Sequence, residues 1–260
     1  MEVRMDGRSA LITGASKGLG LAMATEFVAS GANVAIVARR PDVLEEAKTA
    51  IETVGGGKVV TISADISTAE GCAQAFAEAE AGMGQVDVLV NNAGSSQRGP
   101  FLDHSDEYWQ ADLDIKLFAA IRLCRLAIPA MRARRWGRVI NVLNVGAKAP
   151  PAEGSPTAVS RAAGMALMKV LASENAPHNV LVNAMLVGKI RSDQWVRRHA
   201  ADPRDITLEE WYAEAGKEQP MGRLGTAEEF ANMACFLASE AGSYINGAAI
   251  NVDGGLCRMV

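Results

Sequence analysis

Long apolar runs are missing from this sequence. The longest uninterrupted apolar stretch runs from Met233 to Ala238, whereas a membrane-spanning helix needs roughly 18 such residues. The opening Met-Glu-Val-Arg-Met-Asp also lacks the hydrophobic segment of a secretory signal. We therefore expect no contact with a membrane and a cytoplasmic location.

Cysteines are few and follow no pattern. The four thiols, at Cys72, Cys124, Cys235 and Cys257, lie far apart and lack the spacing of a disulfide framework or a zinc site. Three of them stand in apolar, alanine-rich surroundings. Buried free thiols are the simplest interpretation, and no metal site is expected.

An excess of positive charge is missing as well. The 26 Lys and Arg residues are outnumbered by 30 Asp and Glu, and the formal net charge is -4. The densest group of cations, between Arg132 and Arg138, is short, and we interpret it as a solvated helix end. Such a chain is unsuited to nucleic acid, so a small-molecule substrate is the expected partner.

What the sequence does contain is a regular alternation of short β-branched runs and longer helical patterns. This rhythm predicts parallel strands flanked by helices. No linker, repeat or low-complexity tract interrupts it, so residues 1–260 are predicted to form a single domain. Strands are expected at 10–13, 34–38, 59–64, 86–90, 138–143, 180–185 and 248–252, and helices at 19–30, 41–54, 69–81, 105–131, 157–173 and 226–237.

One polar section, residues 190–225, departs from this alternation. It follows the carboxyl end of an expected strand, where a substrate lid would lie. A pair of helices packed on the surface is an equally good interpretation.

A glycine-rich turn follows the first expected strand and leads into a helix. It reads Gly14-Ala15-Ser16-Lys17-Gly18-Leu19-Gly20. Small residues let the backbone approach a pyrophosphate, whose negative charge is favoured at the amino end of a helix. Ordinary turns also use glycine, but the strand–turn–helix context indicates a dinucleotide site.

The end of the second expected strand lacks an acid. An NAD site usually has a carboxylate there that holds the ribose 2′-hydroxyl, but this sequence has Ala38-Arg39-Arg40. Arg39 can pair with a 2′-phosphate that a carboxylate would repel, and Lys17 adds a second positive charge. NADP(H) is therefore predicted over NAD(H); the alternative is that both residues are merely solvated surface cations.

Two more strand ends carry polar residues. Asp65 could accept a hydrogen bond from an adenine amino group, or it could cap the helix that begins near Thr68. The segment Asn91-Asn92-Ala93-Gly94 follows another apolar strand, where small and amide residues can line a ligand crevice. A plain turn would use the same residue types.

These motifs, together with the closing Asn251-Val252-Asp253-Gly254-Gly255, resemble the short-chain dehydrogenases/reductases over essentially the whole chain. Residues 220–226 and 236–239 are similar to 3-oxoacyl-carrier-protein reductases and to sugar or alcohol dehydrogenases of that family. The resemblance implies a doubly wound Rossmann sheet of seven parallel strands. It also implies a homodimer or homotetramer joined through helices 105–131 and 157–173.

The same resemblance assigns contacts to the cofactor. It places Asp65 and Ile66 at the adenine, Asn91 near the adenosine ribose and Ile190 near the nicotinamide amide. Ala93 and Gly94 belong to the same predicted crevice.

The catalytic pattern of the resembled family is absent. Where Tyr-x-x-x-Lys is expected, the sequence has Thr157 and Arg161. Asn144 stands in place of the expected serine, and Lys116 in place of the upstream asparagine. A threonine hydroxyl is a poor general acid. Arg161 could hold ribose hydroxyls without passing on a proton, and Asn144 could donate a hydrogen bond to a carbonyl.

Other proton donors are conceivable. Of the three tyrosines, at 108, 212 and 244, only Tyr212 could swing over the nicotinamide, although packing of the lid is its simpler use. A buried Lys116 could have a depressed pKa and act as an acid, but a structural pairing with a neighbouring carboxylate is the more ordinary role.

The sequence thus predicts an NADP(H)-binding oxidoreductase acting on a carbonyl or alcohol by an atypical proton route. Two alternatives stay open: a non-catalytic protein that senses NADP(H) or assembles with an active homologue, and non-redox chemistry in the same pocket.

Overall fold

A computed structural model describes residues 3–259, apart from the side chains of residues 193, 194 and 197. The strands are β1 (Ser9–Thr13), β2 (Asn33–Ala38), β3 (Val59–Ser63), β4 (Val88–Asn91), β5 (Arg98–Gly99), β6 (Gly137–Asn144), β7 (Ser155–Pro156), β8 (Val180–Val187) and β9 (Ala249–Val252). The helices are α1 (Gly18–Ala29), α2 (Pro41–Glu52), α3 (Ala69–Met83), α4 (Asp106–Leu113), α5 (Ala119–Arg134), α6 (Thr157–Asn175), α7 (Asp193–Ala200), α8 (Leu208–Lys217) and α9 (Ala227–Ala238).

Seven of the strands form one parallel sheet in the order β3-β2-β1-β4-β6-β8-β9. β1 lies between β2 and β4, with Ala10 aligned with Val34 on one side and Val88 on the other. The predicted doubly wound Rossmann fold is confirmed. The strand order reverses direction at β1 and β4, and this point opens a crevice beyond the carboxyl ends of the strands.

Both faces of the sheet are covered by apolar helices. Neighbouring residues of β1 point to opposite faces: Ile12 belongs to the core under α1 and α9, and Leu11 to the core under α3, α5 and α6. Such strands are apolar on both faces because helices cover both sides. Phe27 of α1 and Phe230 of α9 are fully buried in the first core.

The single helix predicted at 105–131 is interrupted. α4 and α5 are joined by a π-helical turn, Asp114–Phe118, which lies in the middle of the helical stretch. A π-helical turn adds a residue to the helical repeat and changes the direction of the side chains that follow, and such turns are frequent at functional sites. Lys116 lies in this turn and is buried.

The polar section 190–225 contains α7 and α8, packed against each other through aromatic rings. The ring centroids of Trp195 and Trp211 are 5.4 Å apart, and the Trp211 indole donates to Asp202 over 3.0 Å. Two backbone hydrogen bonds close the base of this section: the Arg191 N–H donates to Gly225 over 2.9 Å, and the Gly225 N–H donates to Lys189 over 3.1 Å. The helical pair is therefore present, and its use as a substrate lid stays a prediction.

The cysteines are unpaired thiols, as expected. Cys72, Cys124 and Cys235 are buried, and Cys257 is partly exposed. Burial raises the pKa of the Cys72 thiol to about 11 and that of Cys124 to about 12. Within residues 3–259, no helix combines the length and the apolar character needed to cross a membrane.

Removing the Phe27 ring should destabilise the fold strongly. Phe27 is 0% exposed, and a Phe→Ala change at such a position lowers the free energy of unfolding by about 3–5 kcal/mol because a cavity remains. Urea denaturation followed by circular dichroism measures the loss. The matched control is Phe101→Ala, at a side chain 67% exposed, which should stay within about 0.5 kcal/mol of the parent; equal losses would contradict this core assignment.

Candidate active site

The glycine turn after β1 is tied to the loop after β4. Thr13 Oγ1 accepts hydrogen bonds from the backbone N–H groups of Asn92 (3.0 Å) and Ala93 (3.1 Å). In return, the Asn92 side chain donates to the carbonyl oxygens of Thr13 (2.8 Å) and Gly14 (3.1 Å). The two loops at the crevice therefore form one rigid edge.

Two glycines of the turn are required by this packing. Gly14 has φ +65°, and a Cβ there would lie 2.8 Å from the Cα of Ala93. A Cβ at Gly20 would overlap the carbonyl oxygen of Gly14. Glycine is needed at both positions because a side chain would separate the turn from its neighbours.

A cavity of about 950 Å³ lies beyond the ends of β1, β2, β3 and β4. It brings together seven of the residues predicted to contact the cofactor. These are Gly14, Ser16, Arg39, Asp65, Ile66, Ala93 and Gly94. Arg40 also lines this cavity; sequence reasoning missed it, although it directly follows Arg39.

Asp65 is held as a carboxylate at the edge of this cavity. Its Oδ1 accepts from the backbone N–H (3.0 Å) and the hydroxyl (2.8 Å) of Ser67. These hydrogen bonds, with the positive charge of Arg39, lower the pKa of Asp65. Helix α3 is capped instead by Thr68, which accepts from Gly71, so Asp65 does not serve as the helix cap.

A second cavity of about 440 Å³ continues from the first past Gly14, Ala93 and Gly94. Its lining includes several predicted residues from both the cofactor set and the catalytic set. They are Lys17, Gly18, Leu19, Gly20, Asn144, Thr157 and Arg161. Lys17 lines this second cavity, and Arg39 lines the first.

Two predicted cofactor residues line neither cavity. The Asn91 side chain points into the core, where its Nδ2 donates to Asn141 over 2.8 Å. Ile190 is buried and its backbone bridges to Gly225. The Asn91 side chain is directed to a neighbouring strand instead of to the crevice.

Lys116 does not line the second cavity itself but is hydrogen-bonded to Thr157, which does. Its side chain is 1% exposed, and its ammonium donates to Thr157 Oγ1 over 2.7 Å and to the carboxylate of Asp112. The pairing of Lys116 with a neighbouring carboxylate, one of the two roles considered for it, is present. Asp112 was not predicted as a site residue, although its spacing to Lys116 is the i,i+4 of a helical ion pair.

The hydroxyl of Thr157 lies in a hydrogen-bond network beside the second cavity. Its oxygen accepts from Lys116 and from the backbone N–H of Gln97 at 2.9 Å. A hydroxyl has one proton and two acceptor positions, and the nearest acceptor for the proton is Asp112 at the long distance of 3.4 Å. Thr157 can therefore turn its proton to a group bound in the cavity.

Charge is concentrated behind Thr157. Arg161 donates to the carbonyl of Val142 at 2.8 Å and lies against Gly94. Burial lowers the pKa of Arg161 to about 10. Burial, with the positive charge of Arg161, lowers the pKa of Lys116 to about 8 against the opposing influence of Asp112.

Asn144 lies at the end of β6 and lines the same cavity as Thr157. Its Oδ1 is buried without a hydrogen-bond partner among the described residues. The side chain also carries an N–H donor that can turn toward a bound carbonyl.

The three tyrosines take no part in this arrangement. Tyr108 stacks on His104 at 4.6 Å, Tyr212 is buried beneath the guanidinium of Arg191, and Tyr244 is fully exposed. Burial raises the pKa of Tyr212. Tyr212 therefore packs within the helical pair, which was the simpler of its two predicted uses.

Comparison with known proteins gives matches over the whole chain. Residues 14–257 match the family described as enoyl-(acyl carrier protein) reductase. An uncharacterized oxidoreductase of Bacillus subtilis is 31% identical, with 99% of both chains covered. The 3-oxoacyl-[acyl-carrier-protein] reductase of Aquifex aeolicus is 32% identical, covering 98% of this chain and 100% of the relative.

Two solved structures are also similar throughout. L-Sorbose reductase from Gluconobacter frateurii, complexed with NADPH and L-sorbose, has a TM-score of 0.95 and 33% identity, with both chains covered completely. An NADPH-bound short chain oxidoreductase from Pseudomonas aeruginosa, described as containing an atypical catalytic center, has a TM-score of 0.91 and 32% identity, with 99% of each chain covered.

Removing one partner of the Lys116–Asp112 ion pair should destabilise the fold more than removing both partners. Lys116→Met leaves the Asp112 carboxylate, which is 0% exposed, without its cation, and such a change costs about 3–5 kcal/mol of unfolding free energy. The double variant Asp112→Leu/Lys116→Met should lose less than Lys116→Met alone because no charge is left buried. Urea denaturation of the single and double variants measures this, and additive losses would contradict the pairing.

Proposed function

Because this chain belongs to the short-chain dehydrogenase/reductase family, we propose that it is an NADP(H)-dependent oxidoreductase acting on a small carbonyl or alcohol substrate. The two adjoining cavities lie beyond the carboxyl ends of the strands, where this type of fold binds dinucleotides, and the glycine turn lets the backbone approach a pyrophosphate. When bound, the cofactor would supply or accept a hydride.

The preference for NADP(H) is supported by the charge at the end of β2. Arg39 and Arg40 both line the first cavity, and the acid that would hold a ribose 2′-hydroxyl is absent there. A guanidinium can pair with a phosphate through two hydrogen bonds. The L-sorbose reductase and the Pseudomonas oxidoreductase were both solved with NADPH, which supports the same choice.

The observation that carries the catalytic part of the proposal is the 2.7 Å hydrogen bond from Lys116 to Thr157. Thr157 lines the second cavity, and Lys116 lies directly behind it. Threonine alone is a poor acid, but a hydroxyl can pass a proton if a second group replaces it at once. Lys116 is that group, because an ammonium with a pKa of about 8 can release a proton near neutral pH.

In carbonyl reduction, the carbonyl carbon gains a hydride and the π electrons move to the oxygen. That oxygen takes the proton of Thr157 while Thr157 takes one from Lys116, which becomes a neutral amine. Asn144 can donate a hydrogen bond to the developing oxyanion. After the product leaves, water in the cavity returns a proton to Lys116 through Thr157.

Arg161 has a separate part in this proposal. Its guanidinium cannot give up a proton at neutral pH, but it lies beside Gly94 and the second cavity, where it can hold ribose hydroxyls. The Pseudomonas oxidoreductase with an atypical catalytic center supports the view that this fold can carry a changed set of catalytic residues.

Assembly and location stay predictions. A homodimer or homotetramer joined through α5 and α6 would cover Leu126 and Val170, which are exposed apolar residues on these helices. We expect a small-molecule substrate and a cytoplasmic location.

Reversing the charge at Arg39 should change cofactor choice. Arg39→Asp should weaken NADPH binding by tenfold or more, roughly the loss of one charged hydrogen bond, and leave NADH binding nearly unchanged. Fluorescence titration of both cofactors measures this. The control is Arg258→Asp, at an exposed cation outside both cavities; equal weakening of both cofactors by Arg39→Asp would contradict contact with the 2′-phosphate.

Removing the proton route should lower turnover and abolish its pH dependence. Carbonyl reduction needs protonated Lys116, so its rate should be level below pH 8 and fall above it, and alcohol oxidation should show the opposite trend. Thr157→Val and Asp112→Leu/Lys116→Met should each reduce kcat by about 10²–10⁴-fold and remove the fall in reduction rate above pH 8. The assay follows NADPH absorbance with ketones, 3-oxoacyl thioesters and ketoses.

The matched controls for this assay are Thr49→Val, on the exposed face of α2, and Lys169→Met, on the exposed face of α6. Both should keep the parental rate and pH profile. Full activity in Thr157→Val would rule out the relay. If the parent binds NADPH but turns over no substrate, the enzyme proposal is rejected in favour of a non-catalytic NADP(H) sensor.

A further inference from the structure

Lys116 is surrounded by a small set of polar groups from the helices packed against it. Asp112 faces it from α4, and Thr157 and Arg161 face it from α6. On its own π-helical turn, Asp114 is directed to Arg122 of α5 at 3.6 Å. Asp112 is therefore the carboxylate that holds the Lys116 ammonium.

Asp112 is itself fixed from a second side. Its Oδ1 accepts from Lys116, and its Oδ2 accepts from the Ser160 hydroxyl over 2.6 Å. The Ser160 hydroxyl also lies 3.1 Å from the carbonyl of Thr157, but it has one proton, and the shorter contact to a charged acceptor is the stronger. Asp112 and Ser160 are 0% and 1% exposed, so water does not compete for these bonds.

We propose that Asp112 and Ser160 are positioning residues that hold the Lys116 ammonium against the hydroxyl of Thr157. This inference rests on the proposed oxidoreductase function for its catalytic meaning. Neither residue lines either of the two cavities described above, so both act through Lys116 and do not touch a substrate bound there.

The physical need for such residues follows from the lysine side chain. It has four rotatable bonds, and an unheld ammonium would leave the buried position for water. The carboxylate offsets the burial of the charge, and the serine keeps the carboxylate from rotating. Together they hold Lys116 at hydrogen-bond distance from Thr157, where a proton can pass.

The central experiment measures Lys116 directly and needs no turnover. The protein is labelled with ¹³C at lysine Cε, and the Lys116 resonance is assigned by its absence from Asp112→Leu/Lys116→Met. Asp112→Asn keeps the shape but removes the negative charge that favours the ammonium. The titration midpoint of Lys116 should move down by about 1–3 pH units, and an unchanged midpoint would overturn the proposal.

Ser160 is tested by kinetics and rescue. Ser160→Ala should lower kcat about tenfold, the loss of one hydrogen bond to a charged group, with KM unchanged because substrate contacts remain. Ser160→Thr restores the hydroxyl and should recover most of the rate. The control is Ser173→Ala, which removes an exposed hydroxyl from the same helix; loss of rate without rescue by Thr would overturn the role of Ser160.

A further variant covers the case in which Asp112→Asn does not fold. Asp112→Glu keeps the charge but moves the ammonium by one methylene, so the Lys116 midpoint should stay near its parental value while kcat falls at least tenfold. Undiminished kcat would overturn the positioning role. A shifted midpoint in Asp112→Asn together with full activity in Thr157→Val would leave the Lys116–Asp112 assignment standing and reject the catalytic route instead.

Discussion

The site depends on one buried charge, the ammonium of Lys116. Removing such a group from water is unfavourable by several kcal/mol, and the surrounding helices compensate for it with the carboxylate of Asp112 and the hydroxyl of Thr157. The π-helical turn at Asp114–Phe118 carries this lysine between α4 and α6. Compensation is incomplete, because burial and Arg161 still lower the pKa of Lys116 to about 8. An ammonium that is held in place but weakly acidic is suited to proton transfer.

In the resembled family, a tyrosine and a lysine one helical turn apart would together donate the proton and place a positive charge beside the cofactor. In the proposed arrangement these two tasks belong to different helices. At those positions, Thr157 is too weak an acid to act alone and Arg161 is too strong a base to release a proton. In the proposed route, the proton comes from a different helix and Thr157 only passes it on. Arg161 is then free to act as a fixed positive charge beside the cofactor cavity. In that route the acidity of Lys116 supplies the proton, and the hydrogen bond from Lys116 to Thr157 fixes its path.

Much of the fold follows from local patterns in the sequence. Alternating apolar strands and helical segments predict the parallel sheet because each element must bury its own face, and the glycine turn between β1 and α1 predicts the crevice. Seven of the residues that line the first cavity had been predicted as cofactor contacts in this way, because strand ends of a parallel sheet meet at one edge. Arg40 was missed because the sequence does not show which of the adjacent Arg39 and Arg40 side chains faces the ligand.

The missed parts of the site depend on directions that spacing does not determine. Asn91 is the last residue of β4, and its side chain turns to Asn141 because the two residues are aligned on neighbouring strands. From the sequence, Lys116 could be a buried acid or half of a structural ion pair. The π-helical turn directs it inward, where its ammonium pairs with Asp112. Once it is inward, Asp112 and Ser160 acquire a role, since a buried cation requires a fixed anion and a fixed anion requires a donor. The helix geometry therefore places the Lys116 charge, and the groups that hold this charge direct its proton toward Thr157.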